Sequence, residues 1–285
     1  MELKEKIEDA KQKILEYTLM NDRKVYCSFS GGKDSTVLLH LSRSIFPDMK
    51  AVFVNTGLEY PELVEFVKTF ENVDIIKPKK SFKEVIDKYG WPVVSKMVAM
   101  SISRYKKTKH EHVRKYRLTG IKKNGERGSV GVIPKKWQYL VDAPFEISEK
   151  CCDVMKKEPL KRYNKENDKK PIVGLMRGDS HNRKMLFRAY ECSSFVEASM
   201  LLPLGLWNAK DIWDYIKLNN LEYCSIYDSG MTNTGCMFCL FGHHLDKGFN
   251  RIEDLKTRHP KIYKYLMKIG LSEVLKYYPV NNSDE

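Results

Sequence analysis

Two groups of residues in this sequence have the types and spacing to do chemistry. The first is Ser30-Gly31-Gly32-Lys33-Asp34-Ser35, set between an apolar run, Val25 to Phe29, and a second one beginning Val37-Leu38-Leu39. Two glycines let the backbone curl until several N–H groups point at one place. A helix starting near Asp34 adds its positive end, so the turn is suited to phosphate. Lys33 supplies a mobile cation, and Ser28, Ser30 and Ser35 supply hydroxyls. Asp34 does not belong in a simple anion pocket unless it helps hold Mg2+ on the phosphates. A Walker A loop is excluded, because Cys27 stands where its first glycine belongs and Asp34 where Ser or Thr must follow the lysine.

The second group is made of cysteines. Cys151 and Cys152 are adjacent, and Cys236-Met237-Phe238-Cys239 is a Cys-x-x-Cys. Two close pairs of thiolates bind zinc or an iron–sulfur cluster. Adjacent ligands are awkward on one small tetrahedral ion, whereas a cubane offers each thiolate its own iron. Of the other three cysteines, Cys27 sits mid-strand and reads as a small buried hydrophobe. Cys224 has no distinguishing context. Cys192, after a basic stretch, reads as structural or as a thiol that carries a persulfide or attacks an adenylate. His243 and His244 read as supporting or surface groups beside the second pair.

The elements that must position these groups alternate. An amphipathic helix over 1–20 turns Leu3, Ile7, Ala10, Ile14 and Tyr17 inward. After the loop come a helix to residue 46, a strand Ala51–Val54 ending at Asn55-Thr56-Gly57, and a helix from Pro61 to Phe70. A strand Val73–Ile76 and a helix between Ser81 and Gly90 follow. A further strand, Pro171 to Met176, runs into Arg177-Gly178-Asp179-Ser180, with Arg183 beyond, and a helix covers 208–218. This spacing predicts an α/β fold, a parallel sheet with helices on both faces, whose ligands lie beyond the carboxyl ends of the strands.

Composition narrows the class. An apolar share of 42% supports a core, and the net charge of +13 favours polyanionic partners or a lysine-rich solvated surface. Between Arg104 and Lys136, basic residues crowd together with Tyr105 and Tyr116, and Trp137 and Tyr139 follow. This suits a nucleic-acid backbone or an ordinary solvated insertion, built of turns, a hairpin or a lid. No apolar run reaches about 18 residues, so no membrane span is expected. A charged N-terminus and an odd number of cysteines point to a cytoplasmic protein without a disulfide framework.

The loop at 30–35 resembles the pyrophosphate loop of the ATP-pyrophosphatase superfamily, which cleaves ATP between the α and β phosphates, often through an adenylate. Residues 55–62 are similar to the Asp-Thr-Gly…Phe-Pro-Glu-Thr segment of phosphoadenosine phosphosulfate (PAPS) reductases, departing at Asn55, Tyr60 and, just beyond, Leu63. That likeness places Asn55, Thr56 and Gly57 beside an adenine nucleotide. It makes Arg177, Ser180 and Arg183 a second anion-binding group. Cys-Cys followed about eighty residues later by Cys-x-x-Cys looks like the signature of the adenylylsulfate-reducing branch. It implies a [4Fe–4S] cluster on Cys151, Cys152, Cys236 and Cys239, with zinc as the fallback.

The resemblance covers roughly residues 23–245, with 91–150 as a basic insertion or lid. A helix over 1–22 precedes it, and 246–285 forms a helical extension. Reductases of this family carry a catalytic cysteine in a C-terminal Glu-Cys-Gly-x-His tail, and this sequence has no cysteine after Cys239. An unaltered loop without that tail implies ATP-dependent sulfur transfer. Lys33, Asp34 and Cys192 are then the catalytic candidates, MgATP the substrate, tRNA or DNA the acceptor, and a sulfur donor or thiol protein the partner. The rival expectations are a sulfonucleotide reductase using another thiol and a non-catalytic nucleotide-binding subunit.

Overall fold

The computed structural model describes residues 1–179, 187, 199–245 and 250–278. In chain order its elements begin α1 (Leu3–Met20), β1 (Val25–Ser28), α2 (Lys33–Ile45), β2 (Ala51–Val54), α3 (Pro61–Lys68), β3 (Val73–Ile76) and α4 (Phe82–Tyr89). They continue β4 (Val93–Val94), α5 (Lys96–Lys107), α6 (Glu111–Thr119), α7 (Glu158–Asn167), β5 (Lys170–Val173), α8 (Ala209–Leu218) and β6 (Leu240–Phe241). Three short helices, α9 (Arg251–Arg258), α10 (Pro260–Leu266) and α11 (Ser272–Tyr277), close the series. Two compact units result. One holds Met1–Asn55, Glu59–Lys77 and Pro159–Thr234, the other Thr56–Leu58, Pro78–Glu158 and Gly235–Glu285.

The first unit is built on a parallel sheet in the order β3-β2-β1-β5. Central β1 pairs Cys27 with Ala51 on one side and with Ile172 on the other. Successive strand residues face opposite ways, and here both ways are covered. Tyr26 meets Tyr163 of α7 edge to face at 5.1 Å, while the Cys27 thiol lies 3.1 Å from the Ser42 hydroxyl of α2. Both side chains are fully buried, which is why β1 reads as a continuous apolar run rather than an alternating one. The helix ends follow their local chemistry. Pro61 opens α3, and Asn208 caps α8 through the amides of Lys210 and Asp211.

The second unit carries a short parallel pair, Val93 with Leu240 and Val94 with Phe241. Ser81 caps α4 with a full capping box. Phe82 then packs edge to face on Trp91 and on Phe238. Within the insertion, α5 and α6 are helical, and the glycine-rich stretch expected as turns or a hairpin is a short turn that Ile121 and Arg127 bridge in antiparallel fashion, followed by a 3-10 helix over Lys135–Asp142. Dense basic residues along α6 hide its apolar period, so the sequence pattern does not reveal this helix. No helix among the described residues is long and apolar enough to cross a membrane.

Candidate nucleotide and cysteine sites

Strand β1 leaves the sheet at its carboxyl end and turns through the loop directly into α2, whose N-cap is Gly32. β1 has β2 on one side and β5 on the other, so the loop leaves at the point where strand order reverses, the usual ligand crevice of such sheets. Gly31 takes a left-handed φ of +72°, and its bare Cα faces Val67 and Leu63 of α3. Behind the loop, Gly174 at the end of β5 approaches the Asp34 carbonyl so closely that a Cβ would lie 3.2 Å from it.

The loop is braced from within. Ser35 Oγ donates to the Gly32 carbonyl at 2.9 Å and accepts the Ser30 amide at 3.1 Å. Ser30 Oγ accepts the Gly32 amide at 3.3 Å and lies 3.0 Å from Ser35 Oγ. Ser35 is buried and Ser30 exposed, so Ser35 shapes the turn while Ser30 faces outward. Lys33 is only 3% exposed, and its Nζ stands 3.1 Å from Asp34 Oδ1 without the angles of a hydrogen bond. The loop therefore presents a cation and a carboxylate side by side, the pair a magnesium-bound phosphate requires.

Two residues that sequence reasoning passed over close on this loop. The Lys33 amide donates to the Tyr227 hydroxyl at 2.9 Å, and Lys33 Nζ stands 5.6 Å from the centre of the same ring. Thr234 Oγ1 lies so near Gly32 that a Cβ there would come within 2.6 Å of it. Burial holds the Tyr227 phenol above its ordinary pKa, so it stays a neutral hydroxyl. Tyr227 sits in a 3-10 turn, Ser225–Ser229, within the aromatic-rich final hundred residues, where packing is the default reading. Nothing in the local sequence separates it from its neighbours.

The remaining nucleotide candidates are scattered. Ser28 ends β1, half-buried and paired with Val52 and Val173. Arg177 opens a 3-10 turn after β5, its amide bonded to the Gly205 carbonyl, at the same end of the sheet as the loop. The Asn55 amide donates to the Ile76 carbonyl and extends the β2–β3 pairing. Thr56 and Gly57 belong to the second unit, where Thr56 Oγ1 accepts the Leu58 amide at 3.2 Å. Ser180, Arg183 and Cys192 lie outside the described residues.

All four candidate ligand cysteines fall in the second unit. Cys151 and Cys152 begin a helical stretch that opens at once into a π-turn, Asp153–Lys157, a distortion common at functional sites. The other pair is fixed by what lies between its members. Met237 and Phe238 are buried, the Met237 amide donates to the Leu58 carbonyl, and the Cys239 amide donates to the Cys236 carbonyl at 3.1 Å. Arg251 Nη1 donates to the Cys239 carbonyl at 2.9 Å.

Burial raises the Cys151 thiol far above its ordinary pKa, and Cys236, Cys152 and Cys239 push it further the same way. Cys239 is raised too, by burial first, and Cys152 acts on it. Thus the fold gathers both pairs into one electrostatic neighbourhood. Among the described residues no three His, Cys, Asp or Glu side chains stand close enough to share a single metal ion. Four thiols in two close pairs are a donor set that suits an iron–sulfur cluster or one tetrahedral zinc. Cys27 is different. Burial pushes its thiol up to about 12, and it behaves as an inert core group.

A parallel sheet flanked by helices, with a phosphate-type loop at its switch point, is the architecture of nucleotide-binding α/β proteins. The chain matches the phosphoadenosine phosphosulfate reductase domain over residues 24–129 and 106–240, and it belongs to that family. It is 29% identical to an uncharacterized protein of Methanocaldococcus jannaschii over 91% of this chain and 52% of that protein. A second relative from the same organism is covered over 40% of its length, so the chain spans about half or less of these two proteins. It is 26% identical to adenosine 5'-phosphosulfate reductase 2 of Bacillus subtilis, over 78% of this chain and 75% of that protein. Among solved structures, PAPS reductase from Candida auris in a phosphate complex aligns at 16% identity with a TM-score of 0.44, over 79% of this chain and 87% of that one.

Proposed function

We propose that this chain activates an acceptor with ATP and replaces the activated oxygen by sulfur. The observation that carries the reading is the unaltered Ser-Gly-Gly-Lys-Asp-Ser loop at the N-terminus of α2, with Lys33 and Asp34 side by side. The amides of the loop and the positive end of α2 hold the β and γ phosphates. Lys33 neutralises charge on the leaving pyrophosphate, and Asp34 would hold a magnesium ion, which supplies further neutralisation of phosphate charge when bound. An acceptor oxygen attacks the α phosphorus, the bond to the β-phosphate oxygen breaks, and pyrophosphate leaves. Sulfur at the sulfide level, brought by a donor protein, then displaces AMP. Cys151, Cys152, Cys236 and Cys239 would hold a [4Fe–4S] cluster, which supplies sulfur binding and hand-over when bound. The basic stretch 104–136 suits tRNA or DNA as the acceptor.

Pyrophosphate release from ATP, measured anaerobically with and without tRNA or DNA, tests this reading. Release that depends on acceptor and is lost in Lys33→Ala is expected, and no turnover with either nucleic acid would overturn it. The similarity to a Bacillus adenosine 5'-phosphosulfate reductase over 78% of this chain favours a second reading, reduction of a sulfonucleotide. Sulfite formed from adenylylsulfate and a thiol reductant, with ATP inert, would establish that one instead.

A further inference from the structure

Across residues 104–136 the sequence places twelve Lys and Arg against two Glu, a net +10 within a chain total of +13. Structure sorts these cations. Lys106 is spent inside the second unit, donating to the carbonyls of Ala143 and Phe145 at 3.0 Å each, and Lys122 pairs with Glu126. Arg104, Lys107, Lys109, Lys115, Lys123 and Arg127 are exposed and have no acidic partner among the described residues. Unpaired exposed cations alone describe only a solvated surface.

Arg117 is the exception that gives the surface a fixed point. It is a buried guanidinium, 9% exposed, on α6. Nη1 donates to the Gly131 carbonyl at 2.7 Å and the guanidinium lies near the Tyr116 ring, but Nε is buried with no hydrogen-bond partner. No carboxylate among the described residues pairs with it. The charged side chain that acts on it is another cation, Arg104, which adds to burial in holding its pKa below the ordinary value. Ser101 Oγ, on α5, is likewise buried and without a partner among the described residues.

These groups share one space. A Cβ on Gly131 would fall on Arg117 Nη1 and lie 3.4 Å from Ser101 Oγ, and Gly131 holds a left-handed φ of +73° that only glycine adopts readily. Ser101 and Arg104 stand one turn apart on α5, so they share a face of that helix. A buried cation, a second cation beside it and a spare hydroxyl, with no anion among them, are an incomplete set. Buried polar groups left unmatched in this way call for a ligand or an ion. A tetrahedral oxyanion completes the set, since a guanidinium donates two parallel hydrogen bonds to such a group.

We propose that Arg117, Arg104 and Ser101 seat one backbone phosphate of a nucleic acid whose neighbouring phosphates lie along the exposed cations of α5, α6 and the 121–127 turn. This rests on the reading of the acceptor as a nucleic acid and adds to it where that acceptor is held. Arg104 offers the exposed end of the seat and Arg117 the buried end. Phosphate contacts position a nucleic acid without reading its sequence, so the seat fixes register rather than choosing the base.

Anisotropy of labelled RNA and DNA oligonucleotides bound to the full chain, from about 50 to 200 mM salt, tests it. Arg104→Gln should weaken binding about tenfold near 0.1 M salt and lower the log–log salt slope by about one, whereas Arg117→Lys keeps the charge but loses the paired hydrogen bonds and should weaken binding with the slope unchanged. Lys83→Gln, which removes a lysine ion-paired with Asp87 on α4, should leave both unchanged. Inorganic phosphate should raise the unfolding temperature of Arg117→Lys less than that of the wild type, the remainder coming from the loop at 30–35. If Arg117→Lys fails to fold because the Gly131 bond is lost, the exposed Arg104 carries the test. Wild-type affinity in both Arg104→Gln and Arg117→Lys, with acceptor-dependent pyrophosphate release intact, would overturn the seat alone. A wild type that binds neither RNA nor DNA would overturn both the seat and the nucleic-acid acceptor.

Discussion

Replacing Tyr227 by Phe isolates one hydroxyl at the head of α2. The ring remains, so its edge-to-face contact with Trp213 at 5.5 Å and its position near Lys33 Nζ are kept. What disappears is the acceptor of the Lys33 amide, and Lys33 is 3% exposed, so water does not easily replace it. A buried N–H left without a partner costs about 1–3 kcal/mol. That amide also belongs to the set that a phosphate on this loop must use. Tyr227 and phosphate therefore compete for one donor. Destabilising the nucleotide-free state by about 1–3 kcal/mol should raise the affinity for pyrophosphate or ATP by about 5- to 150-fold. Urea unfolding of the nucleotide-free protein and titration calorimetry with pyrophosphate measure the two halves. Weaker binding in Tyr227→Phe would refute the reasoning, because it would make the hydroxyl a ligand of phosphate. Unchanged stability would refute the cost assigned to the orphaned amide.

Three other perturbations test the frame around the sites. Gly31→Ala forces a side chain into a φ of +72° and brings its Cβ to 2.8 Å from Val67 Cγ2, so a loss of about 2–4 kcal/mol in stability is expected from unfolding curves. Burial would raise the Asp74 pKa, but hydrogen bonds from Tyr163 and Lys50 outweigh it, and the folded value is depressed. Its contribution is thus present above the ordinary carboxylate range and is lost as pH falls through the folded value. Because the Asp74 side chain is 38% exposed, Asp74→Asn should cost less than about 1 kcal/mol at neutral pH. The same substitution should flatten the acid limb of the stability curve below about pH 4, as read by urea midpoints across pH. Finally, Cys236→Ser or Cys239→Ser should abolish bound iron and sulfide in anaerobically prepared protein, while Cys27→Ala keeps both. Iron retained in either serine variant would remove that cysteine from the ligand set.

What the sequence determined by itself is local. The glycines of the loop, Pro61, Ser81 and Asn208 act through turns and caps that close within a few residues, and the alternation of short apolar runs with helical stripes follows from burial on both sheet faces. The loop and both cysteine pairs were legible for the same reason, since their chemistry lies in residues next to one another. Tertiary structure alone decided three things. It set β5 beside β1 across more than a hundred residues and so placed Gly174 behind the loop. It brought Tyr227, 194 positions away, onto the Lys33 amide, a contact that no local propensity encodes. It also divided a uniformly basic stretch into cations already bonded, such as Lys106, and cations without a carboxylate partner among the described residues, such as Arg104 and Arg117. Charge is written in the sequence, but whether a charge is already satisfied depends on what the chain folds against it.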